Sequence, residues 1–312
     1  MSVLKHVLEI IDLLEDPSID GNKVAGFFYS RGLDPYLEIF VEELVGEKGS
    51  TDFIKIIVRG RSKSDERVLG VIGRLGGLSI RPHAIGLVSD ADGAIVALAT
   101  AYKLAVMSSR GDTLPYDVII STHICPRALK IPHKPAPMVT SPVDLYELVK
   151  REVDPRMKAI LSIDATKANQ VIKHYGFAIT PTVKEGWILR VSPDLIDVYT
   201  RVTGNPPAIV PITMQDILPY TTRVYHLNSM MQPWIYTSAP VVGVATTTTT
   251  IVPGSATGAN DAWVLEKATR FVVEVAKDYT RGNIKFYDER EWEEIIRVHG
   301  SLKDVMKRGL NN

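Results

Sequence analysis

The sequence predicts an α/β fold, a three-layer sandwich with a mostly parallel central sheet. Short, continuous apolar runs recur along the chain after residue 67, as expected of strands that are buried on both faces. Helical segments are interleaved with these runs, and this alternation is typical of a parallel sheet covered by helices on both sides. The chain has 312 residues, of which 45% are hydrophobic and 23% are charged. This composition is ordinary for a globular protein, and the length allows one large α/β domain or two small ones.

The individual elements follow from periodicity and from residues that end helices. Buried strands are predicted at 68–72, 85–88, 118–121, 159–163, 208–212 and 241–245. Helices are predicted at 3–15, 21–31, 92–108, 142–152, 193–203 and 260–280, with two more near 289–298 and 301–309. Runs 36–45 and 53–58 alternate charged with apolar residues, which is typical of half-buried antiparallel or edge strands. Runs 177–179 and 187–191 are predicted to form a further strand pair.

These elements predict one domain over residues 1–312. Its parts are a helical and edge-strand region at 1–66, a core of sheet and helices at 67–280, and C-terminal helices at 281–312. Helix 92–108 is apolar on nearly all sides, which indicates burial on more than one side.

Charge and cysteine content exclude several classes of protein. Lys and Arg together number 36, as do Asp and Glu, so the net charge is zero. This balance lacks the basic field of a nucleic-acid binder and argues against adhesion to anionic membranes. A single cysteine and an N-terminus that reads as an amphipathic helix, not a signal peptide, predict a cytoplasmic protein. The scarcity of Gln and Cys is typical of a thermophile-like composition. The neutral surface is compatible with a homo-oligomer.

Polar residues follow the predicted strands at the points where these end. Parallel α/β sheets bind ligands at the carboxyl ends of their strands, so such residues are expected to converge on one crevice. The candidates are Arg74, Asp90, Asp92, His123, Cys125, Asp164 and Lys167.

His123 and Cys125 are separated by one residue and would face the same side of an extended segment. Imidazole and thiolate are good zinc ligands, and a cysteine activated by a histidine is a nucleophile. The alternative is that the lone cysteine is an inert small hydrophobe. We take His123 and Cys125, with Asp92, as the candidate catalytic residues.

The three aspartates at strand ends also have two interpretations. Asp90 and Asp92 lie where helix 92–108 begins, so they either cap it or bind a metal or substrate. Asp164 follows an apolar run, and a carboxylate at such a depth is rarely buried unless it is paired. We predict Asp90, His123 and Asp164 as ligands of a divalent metal such as zinc.

The loop GSATGAND at 254–261 precedes the predicted helix 260–280. Backbone amides at a helix N-terminus bind anions, which makes Ser255 and Thr257 candidate ligand-binding residues. Arg74 is expected either to hold the same anion or to pair with a nearby aspartate. The predicted ligand is therefore a small anionic molecule. The proline-rich segment 132–137 is expected to be extended, and either forms a wall of the pocket or crosses the surface.

Several motifs together resemble a known family. IGRLGG, IGLVSDADGA, THICP, ILSIDATK and PVVGVAT with PGSATGA are similar to the prokaryotic family catalogued as domain of unknown function 1177. The resemblance covers nearly the whole chain. It implies no particular activity.

A more distant resemblance is to the zinc-dependent exopeptidases, in particular the co-catalytic aminopeptidases. It implies the same sandwich fold, with Asp164 in SIDAT similar to one metal ligand and Asp90 near the metal-bridging aspartate. The His-x-Asp ligand motif would fall at 74–76, the paired glutamates within 123–125, and the final histidine in 254–258, which has none. The resemblance therefore implies a metal site that is lost or rebuilt.

Two functions follow as hypotheses. The first is a hydrolase-like protein that binds a small molecule, with an amide or peptide substrate and an altered metal site. The second is a non-catalytic binding or assembly protein on a degenerate exopeptidase scaffold.

Overall fold

The computed structural model describes residues 2–74, 76–82, 86–134, 136–219 and 229–307. The α-helices in these ranges are α1 (Leu4–Glu15), α2 (Gly21–Tyr29), α3 (Asp92–Ser109), α4 (Leu145–Glu152), α5 (Pro193–Thr203), α6 (Ala262–Thr280), α7 (Glu289–His299) and α8 (Lys303–Lys307). The strands are β1 (Leu37–Gly46), β2 (Gly49–Val58), β3 (Leu69–Gly73), β4 (Val118–Ile124), β5 (Leu129–Ile131), β6 (Met138–Thr140), β7 (Ala159–Ala165), β8 (Gly176–Ile179), β9 (Val183–Lys184), β10 (Trp187–Ile188) and β11 (Val241–Thr247). Four 3-10 helices cover Asp34–Tyr36, Ser89–Ala91, Met214–Ile217 and Ser229–Tyr236.

The central sheet is parallel in its middle and antiparallel at its flanks. Its strand order is β1-β2-β4-β3-β7-β11-β9-β10, and β8 also pairs with β11. β4, β3, β7 and β11 are parallel to one another, whereas β1, β2, β8, β9 and β10 join in antiparallel fashion. The mostly parallel sheet is therefore confirmed, and it brings the carboxyl ends of four strands to one edge. The alternating runs near residues 36–58 form the antiparallel hairpin β1–β2, with β1 at the sheet edge.

Helices cover both faces of the sheet. α1, α3 and α6 pack together on one face, whose apolar core includes Ile10, Ala97 and Phe271. The 3-10 helix Ser229–Tyr236 covers part of the other face and buries Trp234 there. The segment Ser89–Ser109 is long and apolar enough to cross a membrane, but 94% of its apolar window is buried inside the protein. Such burial is typical of a core helix, as the apolar surface of helix 92–108 predicted.

Three predictions about strands were wrong or lie partly outside the described residues. Residues 208–212 contribute only an isolated bridge between Ile209 and Ile179; Pro207 and Pro211 lack the N–H donors that a ladder needs. Residues 86–88 form no strand, and Ile85 lies outside the described ranges. Runs 177–179 and 187–191 do not pair with each other: β8 pairs with β11, and β10 pairs with β9. Apolar runs show burial but do not specify a hydrogen-bonding partner.

Two further differences concern the ends of segments. The proline-rich segment lies between β5 and β6, which form a separate two-stranded sheet that the sequence did not predict. The last predicted helix is confirmed as α8, but only to residue 307, and residues 308–309 lie outside the described ranges.

Candidate functional site

The candidate site lies where the four parallel strands end, and two glycines bring helix α3 onto that edge. A Cβ on Gly73 would lie 2.5 Å from the carbonyl oxygen of Gly93, and a Cβ on Gly93 would lie 2.6 Å from the carbonyl oxygen of Ile163. Real Cβ atoms do not approach so closely, so glycine is required at both positions. The turn that holds Asp90 and Asp92 therefore lies in contact with the ends of β3 and β7.

Asp90 and Asp164 are two buried carboxyl groups at this edge whose charges interact, and we call them the carboxyl pair. Their exposed fractions are 8% and 6%. Asp164 accepts hydrogen bonds from Ser229 Oγ and from the backbone N–H of Ala165, each at 2.8 Å. Among the described residues, none forms a hydrogen bond or ion pair with the Asp90 side chain. A Cβ on Gly77 would lie 2.7 Å from Asp90 Oδ2, so this carboxyl lies against the Gly77 backbone.

The environment of this pair opposes ionisation of both groups. Burial raises the pKa of Asp90 well above its ordinary value, and the neighbouring charges of Asp164 and Asp92 raise it further. Burial also raises the pKa of Asp164, although the Arg74 guanidinium and the Ser229 hydroxyl act in the opposite direction. Paired carboxyl groups with raised pKa values are typical of functional sites.

Asp92 serves a different purpose, because its carboxylate is fully engaged. Oδ2 forms an ion pair with Lys167 and accepts a hydrogen bond from Thr246 Oγ1 at 2.6 Å. Oδ1 accepts from Asn260 Nδ2 at 2.6 Å. Its side chain does not cap α3, since Asp92 lies inside the helix and the N-cap residue is Ala91. The catalytic role predicted for Asp92 is therefore not supported: its oxygens tie three segments together.

Arg74, Glu152 and His123 form a second buried cluster. Arg74 forms an ion pair with Glu152, and both side chains are fully buried. His123 Nε2 lies 3.2 Å from Glu152 Oε1, an ion-pair distance without the alignment of a hydrogen bond. Burial alone would raise the pKa of Glu152, but Arg74 and His123 outweigh it and hold this pKa below its ordinary value. Because Glu152 neutralises Arg74, the predicted anion-binding role of Arg74 is not supported.

The surroundings of Cys125 are those of a structural residue. Its exposed fraction is 1%, and burial raises the pKa of its thiol to about 11. Its backbone forms hydrogen bonds with Gly76 and Leu78, which continue the β3–β4 pairing beyond the strand ends. A thiol with this pKa is protonated at neutral pH and is a poor nucleophile. The geometry favours the inert interpretation over a Cys–His pair with His123.

The loop with Ser255 and Thr257 lies beside the site, but its polar groups bind other parts of the chain. The carbonyl of Thr257 accepts from Ser89 N at 2.6 Å, and the carbonyl of Ser255 accepts from Ser89 Oγ at 2.9 Å. The N-terminal amides of α6 at residues 263 and 264 donate to the Asp261 side chain. An Asp at the N-cap therefore occupies the amides that the sequence assigned to an anion.

The predicted metal ligands are brought together only in part. Asp90 and Asp164 are neighbours, whereas His123 lies against Glu152. Within the described ranges, no group of three or more His, Cys, Asp or Glu side chains is arranged to hold a metal ion. These residues do not fit the predicted zinc ion, because His123 lies against Glu152 and leaves only two carboxyl groups near one another.

Sequence reasoning missed Glu152 and gave Lys167 no specific role. Glu152 ends the amphipathic helix α4, 78 residues from its partner Arg74, and nothing local marks it. Lys167 was visible as a polar residue after a strand, and its positive φ of 46° is a conformation rarely adopted outside glycine.

Comparisons with known proteins agree with this architecture. The family described as Protein of unknown function (DUF1177) matches residues 42–309. Comparison with curated protein sequences gives no match. The LapA aminopeptidase of Legionella pneumophila is similar with a TM-score of 0.50 and 12% identity, over 91% of this chain and 72% of its own. A variant of tomato leucine aminopeptidase is similar with a TM-score of 0.51 and 10% identity, over 87% of this chain and 61% of its own. The chain thus spans less than two thirds of the tomato enzyme, and these likenesses show the fold alone.

Proposed function

We propose that this chain, which belongs to the family described as Protein of unknown function (DUF1177), is a hydrolase-like protein that acts on a small amide or peptide bearing an amine. Its fold is similar to that of aminopeptidases. The observation that supports this proposal is the buried Asp90 carboxyl, which lies beside Asp164 and has no partner among the described residues.

The charges around the site favour a cationic group on the ligand. Arg74 is in contact with Glu152, and Lys167 is in contact with Asp92. Each of these cations is in contact with another carboxylate, and burial penalises negative charge on both Asp90 and Asp164 more than Arg74 offsets it. An ammonium group brings one positive charge and three hydrogen-bond donors. We therefore propose a cationic group on the ligand, in contrast to the anionic ligand that the sequence predicted.

The two carboxyl groups suit different roles because their surroundings differ. The donors at Asp164 favour its ionised form, so we assign Asp164 to the ammonium group of the ligand. Asp90 has no such donor and its pKa is raised well above the ordinary value, so it holds a proton more readily. We assign Asp90 to proton transfer between the attacking water and the leaving amine. Pairs of carboxyls whose surroundings differ divide acid and base roles in this way.

The test measures turnover of aminoacyl anilides and dipeptides in the presence of a chelator. Asp164→Asn is expected to raise KM, and Asp90→Asn is expected to lower kcat by at least about 100-fold, the usual worth of a positioned acid or base. N-acetylated versions of the same substrates should bind poorly because they lack the ammonium group. Asp112→Asn, at an exposed position, is the matched control. Unchanged turnover in both site variants, or equal binding of acetylated substrates, would contradict the proposal.

A second candidate is a non-catalytic protein that binds the same amine. This candidate is favoured because potentially reactive groups already form ion pairs within the protein. Asp92 pairs with Lys167, and Arg74 pairs with Glu152. In that case amines should raise the melting temperature of the wild type and not of Asp164→Asn, without turnover of any substrate in the panel.

A further inference from the structure

Resting on that proposed function, we propose that the β5–β6 hairpin forms one wall of the site and that Val139 determines the size of the apolar group next to the ligand's amine. Ser255 is the positioning residue that holds this wall hairpin in place. The sequence left open whether the segment between β5 and β6 lines a pocket or crosses the surface.

Val139 lies beside the carboxyl of Asp90. A Cβ on Gly77 would lie 3.0 Å from Val139 Cγ1 and 2.7 Å from Asp90 Oδ2. Both side chains therefore lie next to the α-carbon of Gly77 and next to each other. Val139 is half-buried, with part of its surface still open. Any group that accompanies an amine at the carboxyl pair meets this apolar side chain first.

Ser255 connects the wall hairpin to the turn that holds Asp90. Its Oγ accepts a hydrogen bond from the backbone N–H of Val139 at 2.7 Å, and its carbonyl accepts from Ser89 Oγ at 2.9 Å. The neighbouring Ala256 N–H donates to the carbonyl of Pro137 at 3.2 Å. One residue thus sets the distance between β6 and the residue before Asp90. Removing the hydroxyl frees β6 while leaving Val139 and Asp90 themselves unchanged.

Gly254 permits this close approach. Its φ is 75°, a conformation that favours glycine, and a Cβ there would collide with the carbonyl oxygen of Pro137. The hairpin and the loop 253–258 are therefore shaped to touch. The same hairpin offers a matched control at Ile131, whose exposed fraction of 44% places it on the outer surface.

The first experiment tests the geometry without a ligand. Val139→Cys is labelled with two methanethiosulfonates, one with a trimethylammonium group and one with a sulfonate group. The native Cys125 is buried and reacts slowly. If position 139 faces the carboxyl pair, the cationic reagent reacts at least about fivefold faster because of Coulomb attraction. The preference should fall when Asp164→Asn is added, because Asp164 is the carboxyl assigned to the ionised state, and it should be absent in Ile131→Cys. Equal rates for both reagents at position 139 would overturn the inference.

The second experiment measures size selection with n-alkylamines from methylamine to hexylamine, as affinities by calorimetry. Val139→Ala should move the best binder to a longer chain, and Val139→Leu to a shorter one. Ser255→Ala should weaken all amines alike and speed hydrogen exchange at the amide of residue 139.

The outcomes separate this inference from the proposed function. If amines bind equally well to wild type and to Asp164→Asn, or do not bind at all, the proposed function fails, and the charge preference at position 139 alone decides the inference. If binding depends on Asp164 but the best chain length is the same in all Val139 variants, the wall hairpin does not select size and the inference is wrong.

Discussion

Substituting Glu152→Gln tests the buried cluster that sequence reasoning missed. Arg74 and Glu152 are both fully buried, so the change leaves a guanidinium in the interior without its carboxylate. Removing one partner of a buried ion pair costs about 3–5 kcal/mol of unfolding free energy. The measurement is urea unfolding at pH 7, compared at equal m-value. The matched control is Glu38→Gln, since Glu38 pairs with Arg59 at 2.9 Å on the surface. Exposed pairs contribute about 1 kcal/mol at most.

The pH dependence of the same variant gives an independent check. The pKa of Glu152 in the folded protein is held below its ordinary value. A lowered pKa contributes stability above the unfolded-state pKa of about 4.3, and this contribution is lost as the pH falls through the folded-state pKa. The difference between wild type and Glu152→Gln should therefore shrink in acid. The reasoning is refuted if Glu152→Gln costs no more than Glu38→Gln, or if the difference is independent of pH.

Replacing the whole pair by apolar residues distinguishes charge from packing. Arg74→Met combined with Glu152→Leu leaves no buried charge at these positions. Such replacements are often neutral or stabilising by about 1–4 kcal/mol, so the double variant should be more stable than Glu152→Gln alone.

Three further predictions concern the same edge of the sheet. Asp90→Asn should raise the unfolding free energy at pH 8. The pKa of Asp90 is raised in the folded protein, so the wild type loses stability as the pH rises, by about 1.4 kcal/mol per pH unit. Urea unfolding at pH 4 and pH 8 should therefore show a gain only at pH 8. Cys125 should react with iodoacetamide about 100-fold more slowly in the native protein at pH 8 than in urea, because its thiol pKa is raised to about 11. Gly93→Ala should cost about 1–3 kcal/mol in urea unfolding, because the added methyl group would meet the carbonyl of Ile163.

The position of Asp164 at the edge of the sheet was predictable because strand topology dictates it. Asp164 lies at the carboxyl end of β7, and residues at the carboxyl ends of parallel strands converge on one edge. Asp90 reaches the same edge through the turn before α3, since residues 86–88 form no strand. Helix α3 was predictable as a buried helix, because a helix that is apolar on all sides is stable only when other elements cover it. Repeating patterns of polarity therefore indicated the parallel strands β3, β4, β7 and β11 and the buried helix α3.

The roles of individual charges could not be predicted in the same way. Arg74 was assigned to an anion, but Glu152 neutralises it, and Asp92 was assigned to catalysis, but Lys167 and two other donors engage it. The partner of a buried charge is set by tertiary packing between distant segments, and local spacing carries no signal of it. The wall hairpin was uncertain for the same reason, because prolines predict an extended chain without indicating what it lies against.

The acidic strand at the sheet edge restricts how copies of this protein can associate. β1 is ten residues long and ends the sheet on one side, with Glu38, Glu42 and Glu43 exposed along it, while β10 on the other side has only two residues. Charged side chains along β1 discourage a second copy from pairing there, and the short β10 offers too few backbone groups for a ladder. Strand-by-strand growth of the sheet into fibres is thereby discouraged at both ends.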